Sequence, residues 1–140
     1  MKRWLEICGL LMIYCAGYAQ QLPCPALPPT LRTWDALYRS YKSYRNCDDG
    51  LIGENYSESV ARILVDHWNT LSRLAFLARE NPEFRRFVLK HVDASLDGDD
   101  IKKIRTKATT QCPKGLRVLC DDLRKQADTA LKEYATPAEN

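Results

Sequence analysis

Glycine, histidine and long apolar runs are scarce in this chain, and each shortage closes off a class of protein. Six glycines in 140 residues form no Gly-rich loop of the kind that cradles phosphates. Only two histidines are present, His67 and His91, and neither belongs to a His-Glu-x-x-His zinc helix; a Gly-x-Ser-x-Gly nucleophile turn is also missing. The longest apolar run, Ile7 to Ala16, is about half the length a bilayer crossing needs. Charge of neither sign dominates: 21 basic against 18 acidic residues give a net +3, which argues against a nucleic-acid footprint with its basic excess on one face. No segment alternates apolar and polar residues for long enough to read as a strand.

What is present begins with export. Lys2 and Arg3 precede the apolar run, and Gly17-Tyr18-Ala19 ends it with small residues at the −3 and −1 positions. This is the layout of a cleavable secretory signal peptide over residues 1–19. Its removal takes Cys8 and Cys15 away and leaves Cys24, Cys47, Cys112 and Cys120. An even number of cysteines in an oxidising compartment predicts two disulfides. Three pairings are open to four cysteines. Cys112–Cys120 is favoured because Pro113, Lys114 and Gly115 supply a turn between them, and Cys24–Cys47 then follows.

The remaining chain reads as an extended leader over 20–30, one helical domain over 31–134 and a disordered tail over 135–140. The leader is rich in Gln and Pro. Leu31, Trp34, Tyr38 and Tyr41 recur at helical steps, with Thr30 or Thr33 as cap and an end near Asn46. Asp48 and Asp49 cap a second helix with the stripe Ile52, Tyr56, Val60, Ile63, Leu64 and His67, and with Glu54, Ser57, Glu58 and Arg62 on its polar face. Leu71, Leu74 and Leu77 mark a third. Asn81-Pro82 opens a fourth, whose inward residues are Phe84, Phe87, Val88, His91 and Val92. Asp97 or Asp99 caps a fifth with Ile101, Ile104 and Ala108. A sixth carries Leu116, Leu119, Cys120, Leu123, Ala127 and Leu131. The expected class is all-α: about six antiparallel helices in a compact bundle or a short armadillo-like superhelix, with disulfides. Asn81-Pro82 and Cys112-Pro113 form a faint internal echo at 31 residues.

Candidate chemistry is thin. Both histidines fall on inward stripes and read as core residues rather than as a general base or metal ligand. Asp93-x-Ser95-x-Asp97-Gly98 with Asp99 has calcium-loop spacing, but Ile104 stands where a bidentate Glu belongs, so an acidic helix cap is the better reading and no metal is expected. Asn55-Tyr56-Ser57 is a bare glycosylation sequon. The aromatic stripe of Trp34, Tyr38 and Tyr41 reads as core. Two acidic surfaces remain as candidate partner-binding sites: Asp48, Asp49, Glu54, Ser57 and Glu58 around the second helix, and Asp97, Asp99 and Asp100 in the loop before the fifth. No catalytic residue and no cofactor is expected.

Several segments carry a family resemblance: Tyr44-Arg45-Asn46-Cys47-Asp48-Asp49-Gly50, Tyr56-Ser57-Glu58-Ser59-Val60, Pro82-Glu83-Phe84-Arg85-Arg86-Phe87-Val88-Leu89, Cys112-Pro113 and Leu119-Cys120. Together they are similar to periplasmic immunity proteins of type VI secretion amidase effectors, in the armadillo-like helical branch. The resemblance implies a periplasmic protein without catalysis. Its partner would be a peptidoglycan amidase with a Cys-His site, blocked by a loop or helix edge pushed into the groove, often by a homodimer. An acidic edge suits such a role, since it speeds encounter with a basic peptidoglycan-binding face. The rival expectations are a periplasmic carrier of a small molecule or lipid, and an enzyme using His67 or His91.

Overall fold

The computed structural model describes residues 23–25 and 30–136; the expected signal peptide, most of the expected leader and residues 137–140 lie outside them. Six α-helices follow in order, with no strand among the described residues: α1 (Trp34–Tyr44), α2 (Gly50–Asp66), α3 (Leu71–Glu80), α4 (Pro82–Lys90), α5 (Gly98–Thr110) and α6 (Arg117–Ala135). Four helix starts are set by side chains that sequence singles out. Thr33 accepts from the Ala36 amide, Asp49 from Gly50, Asn81 from both Glu83 and Phe84, and Asp97 from Asp99. Each satisfies amides that the first helical turn leaves without a partner.

Helix α2 occupies the middle of the bundle. Tyr56, Ser57, Ser59, Val60, Ala61, Ile63 and Leu64 are all buried, which is more of a helix's circumference than one apolar stripe covers. It packs on α1 and on α5, while α3 packs on α4 and α5 runs against α6. The small residues Ser57, Ser59 and Ala61 let neighbouring chain approach closely. Ser59 Oγ accepts from the Leu31 amide at 2.9 Å, tying the segment before α1 to the centre. Tyr41, Phe84, Phe87 and Tyr56 form an aromatic chain with ring centroids 4.9–5.3 Å apart. Burying each such ring contributes roughly 1.5–3 kcal/mol. One continuous core joins residues of all six helices.

The two disulfides are Cys24–Cys47 and Cys112–Cys120. They fix the segment before α1 to the start of α2, and the α5–α6 turn to the first turns of α6. They point to an oxidising, extracellular-type compartment. No helix of the described residues is long and apolar enough to cross a membrane.

Four details depart from the sequence reading. His67 is exposed, not inward: α2 stops at Asp66, the chain tightens into a 3-10 turn over Trp68–Thr70, and Trp68 takes the buried place, donating its indole N–H to the Gln111 carbonyl at 2.8 Å. Leu116 precedes α6 as its cap residue instead of lying within it. Helix α6 runs through Ala135, the first residue expected in the tail. Pro82 opens α4 directly, whereas Pro113 sits in the turn before α6, so the two halves of the internal echo differ in local geometry.

Candidate functional site

Ser57, nominated as an exposed contact, lies at the centre of a buried polar cluster and is only 2% exposed. The cause is the central place of α2, which buries the face that a single-stripe reading leaves to solvent. Ser57 Oγ lies 2.9 Å from His91 Nδ1 and donates to Asp93 Oδ2 at 2.8 Å. On the far side of the ring, His91 Nε2 is 3.2 Å from Asp48 Oδ2, which also accepts from Lys90 Nζ at 2.8 Å. Asp48 is thus drawn inward as well, its side chain largely covered, and is not the free surface carboxylate that sequence suggests. The helical residue Gly53 leaves room for it: a Cβ there would come within 3.2 Å of Asp48 Oδ1.

Serine, histidine and aspartate in a row are the elements of a hydrolytic triad, and the sequence gives no hint of this meeting across 34 and 43 positions. The detailed geometry favours a structural knot. The Ser57 hydrogen is directed at Asp93, the hydroxyl is sealed from solvent, and Ser57 sits in the interior of a helix. Burial lowers the His91 pKa below that of a free imidazole, against the pull of Asp48. A neutral ring carries one proton to serve two neighbours, Ser57 Oγ and Asp48 Oδ2. Burial works to raise the Asp93 pKa, yet hydrogen bonds from the Ser95 hydroxyl and amide and from Ser57 outweigh it and hold the group below the usual range.

The two acidic surfaces meet through one arginine. Arg62 on α2 reaches Glu58 Oε1 at 3.0 Å and also pairs with Asp100 at the start of α5. Lys103 adds a second cation to Asp100 at 3.2 Å, and Lys102 pairs with Asp99 at 3.0 Å. That pairing holds the Asp99 carboxyl below its ordinary pKa. Asp93, Asp97, Asp99 and Asp100 therefore turn to separate partners, and no group of three or more candidate metal ligands occurs among the described residues.

Asp49 and Glu54 are the nominated carboxylates at the α2 end that form no ion pair among the described residues, and between them stands Leu51, which the sequence reading passed over. Leu51 is 70% exposed. Leu51 is the second residue of α2, and the turn just before it is anchored by Cys47 in its disulfide and by Asp48 in its contacts with Lys90 and His91. Gly50, with φ of +51°, lets the chain pass from that turn into α2. The only signal in sequence is an apolar residue just after the Asp-Asp-Gly cap and off the helix stripe. His67 lies elsewhere, with Arg32, Trp34 and Arg73, on an open cleft of about 370 Å³ beside the start of α1. No family model, curated protein or solved structure matches the chain.

Proposed function

We propose that this chain is an exported, non-catalytic binding protein of the periplasm: an immunity protein that docks on a peptidoglycan amidase effector and blocks it. The observation that carries the reading is Leu51, an apolar side chain held out into solvent between Asp49 and Glu54 at the start of α2, just after a turn pinned by Cys24–Cys47 and by buried Asp48. A rigid apolar tip loses little freedom on docking, and flanking carboxylates steer it to a basic face. Inhibitors that fill a cleft concentrate binding energy in such anchors. Glu58 and Asp100, already neutralised by Arg62, contribute less than Asp49 and Glu54. The buried Ser57–His91 pair favours this reading over hydrolysis by the chain itself, because substrate has no route to a hydroxyl committed to Asp93. The open cleft beside Trp34 offers a lipid or small molecule little enclosure, which disfavours the carrier reading.

The test is direct. The disulfide-intact chain is mixed with the product of its neighbouring gene and purified cell wall, and release of peptide fragments is followed. Inhibition is expected, and Leu51→Asp and Glu54→Lys should each weaken it at least about tenfold, as loss of an interface anchor does, with the melting temperature unchanged. Glu58→Lys should weaken it less. A neighbour that does not cut cell wall, or full inhibition by the Leu51→Asp, Glu54→Lys double variant, would remove the proposal.

A further inference from the structure

A second face of the molecule has the opposite chemistry. Between α3, the start of α4 and the start of α6 lies a cleft of about 400 Å³. Ala75, Ala78, Pro82, Leu116 and Leu119 give it an apolar lining, and Val118, 69% exposed, stands at its edge. On α3, outside the cleft lining, Phe76 is 43% exposed and flanked by Arg73 and Arg79, whose guanidiniums lie 5.0 and 5.7 Å from its ring. The adjoining cleft shares Gly115 and adds Lys114, Arg117 and the ion pair Asp121–Arg124. Of the cations here, Arg85 is paired with Asp122 and Arg73 with Asp35, whereas Arg79, Lys114 and Arg117 form no ion pair among the described residues. Apolar lining, one exposed apolar side chain, Val118, and three cations without an ion partner among the described residues thus share one concave strip.

We infer that this strip is a docking groove for an acidic protein segment that carries an apolar anchor residue. The anchor enters beside Val118, over Ala75, Ala78 and Leu116, and its flanking carboxylates meet Arg79, Lys114 and Arg117. Concavity favours a peptide segment over a lipid surface, which basic residues meet best from a convex or flat face. The groove is separate from the Leu51 edge, so the inference stands whether or not that edge blocks an amidase.

Three synthetic helical peptides serve as probes, titrated into the oxidised chain: a leucine stripe flanked by glutamates, the same stripe flanked by lysines, and the glutamate peptide with serine in place of leucine. Vesicles of anionic phospholipid are a fourth arm. The glutamate–leucine peptide should bind best and more weakly as salt rises. Val118→Asp should reduce its affinity at least about tenfold, and Arg79→Glu should reduce it several-fold. Both positions are exposed, and a melting curve checks each fold. Equal binding of the lysine peptide, unchanged affinity in Val118→Asp, binding to vesicles in preference to the peptide, or closure of the strip by a second copy of the chain in sedimentation would overturn the inference.

Discussion

His91 shows how much one residue can carry. It is 2% exposed, touches Phe87 with ring centroids 4.5 Å apart, and links Ser57 on α2 to Asp48 before it. Because burial depresses its pKa in the folded state, the unfolded chain takes up the proton more readily. The stability it contributes is complete above the ordinary value of 6.5 and is lost as pH falls below it. Denaturant melts between pH 7.5 and 5 should show that decline, and His91→Gln should be less stable at pH 7.5 but flatter across the same window. Asp93, also depressed, adds a second loss as pH falls below 3.8. Ser57→Ala strands His91 Nδ1 and Asp93 Oδ2, and is expected to cost about 1–3 kcal/mol in denaturant unfolding.

At the scale of the element, the helix starts were largely legible, because capping is a contest among a few neighbouring atoms. Asn81 accepts from the Glu83 and Phe84 amides at 3.1 Å each, with Pro82 preset behind it. Asn81→Ala should lower stability by about 1 kcal/mol. The ends of helices were less legible: α2 gives way to a 3-10 turn because Trp68 can reach both the core and the Gln111 carbonyl, and that carbonyl is 43 residues away. The Cys24–Cys47 bridge closes 23 residues, worth about 3 kcal/mol by loop-closure entropy. Replacing both cysteines by alanine should lower the unfolding free energy by that order. It should also loosen the turn that presents Leu51, read as faster amide exchange over residues 47–53.

Across the whole molecule, two arginines fasten the α5–α6 unit to the rest. Arg62 ties α2 to Asp100 on α5, and Arg85 ties α4 to Asp122 on α6. Asp100 has its side chain largely covered, so removing Arg62 leaves a poorly solvated charge with only the exposed Lys103 beside it. Arg62→Ala should therefore destabilise the fold more than Arg86→Ala, whose partner Glu83 is well exposed. In the Arg62→Ala, Arg85→Ala double variant, hydrogen exchange should quicken in α5 and α6 before α2 and α3. The same pairing explains the distribution of charge on the surface. Most carboxylates nominated for partner binding serve arginines and lysines of the chain itself; among the described residues Asp49 and Glu54 at one end, and Arg79, Lys114 and Arg117 on another face, form no ion pair.

Sequence alone settled what depends on near neighbours and on counting. Stripes at three- and four-residue spacing gave six helices, short polar side chains gave caps for four of them, and four cysteines with a turn between two of them favoured, among three open pairings, the one that is observed. Tertiary structure decided which helix lies in the middle, and with it the fate of Ser57, Asp48 and His67. A stripe tells one side of a helix from the other. It does not tell how many neighbours surround that helix, and burial is a property of all of them together.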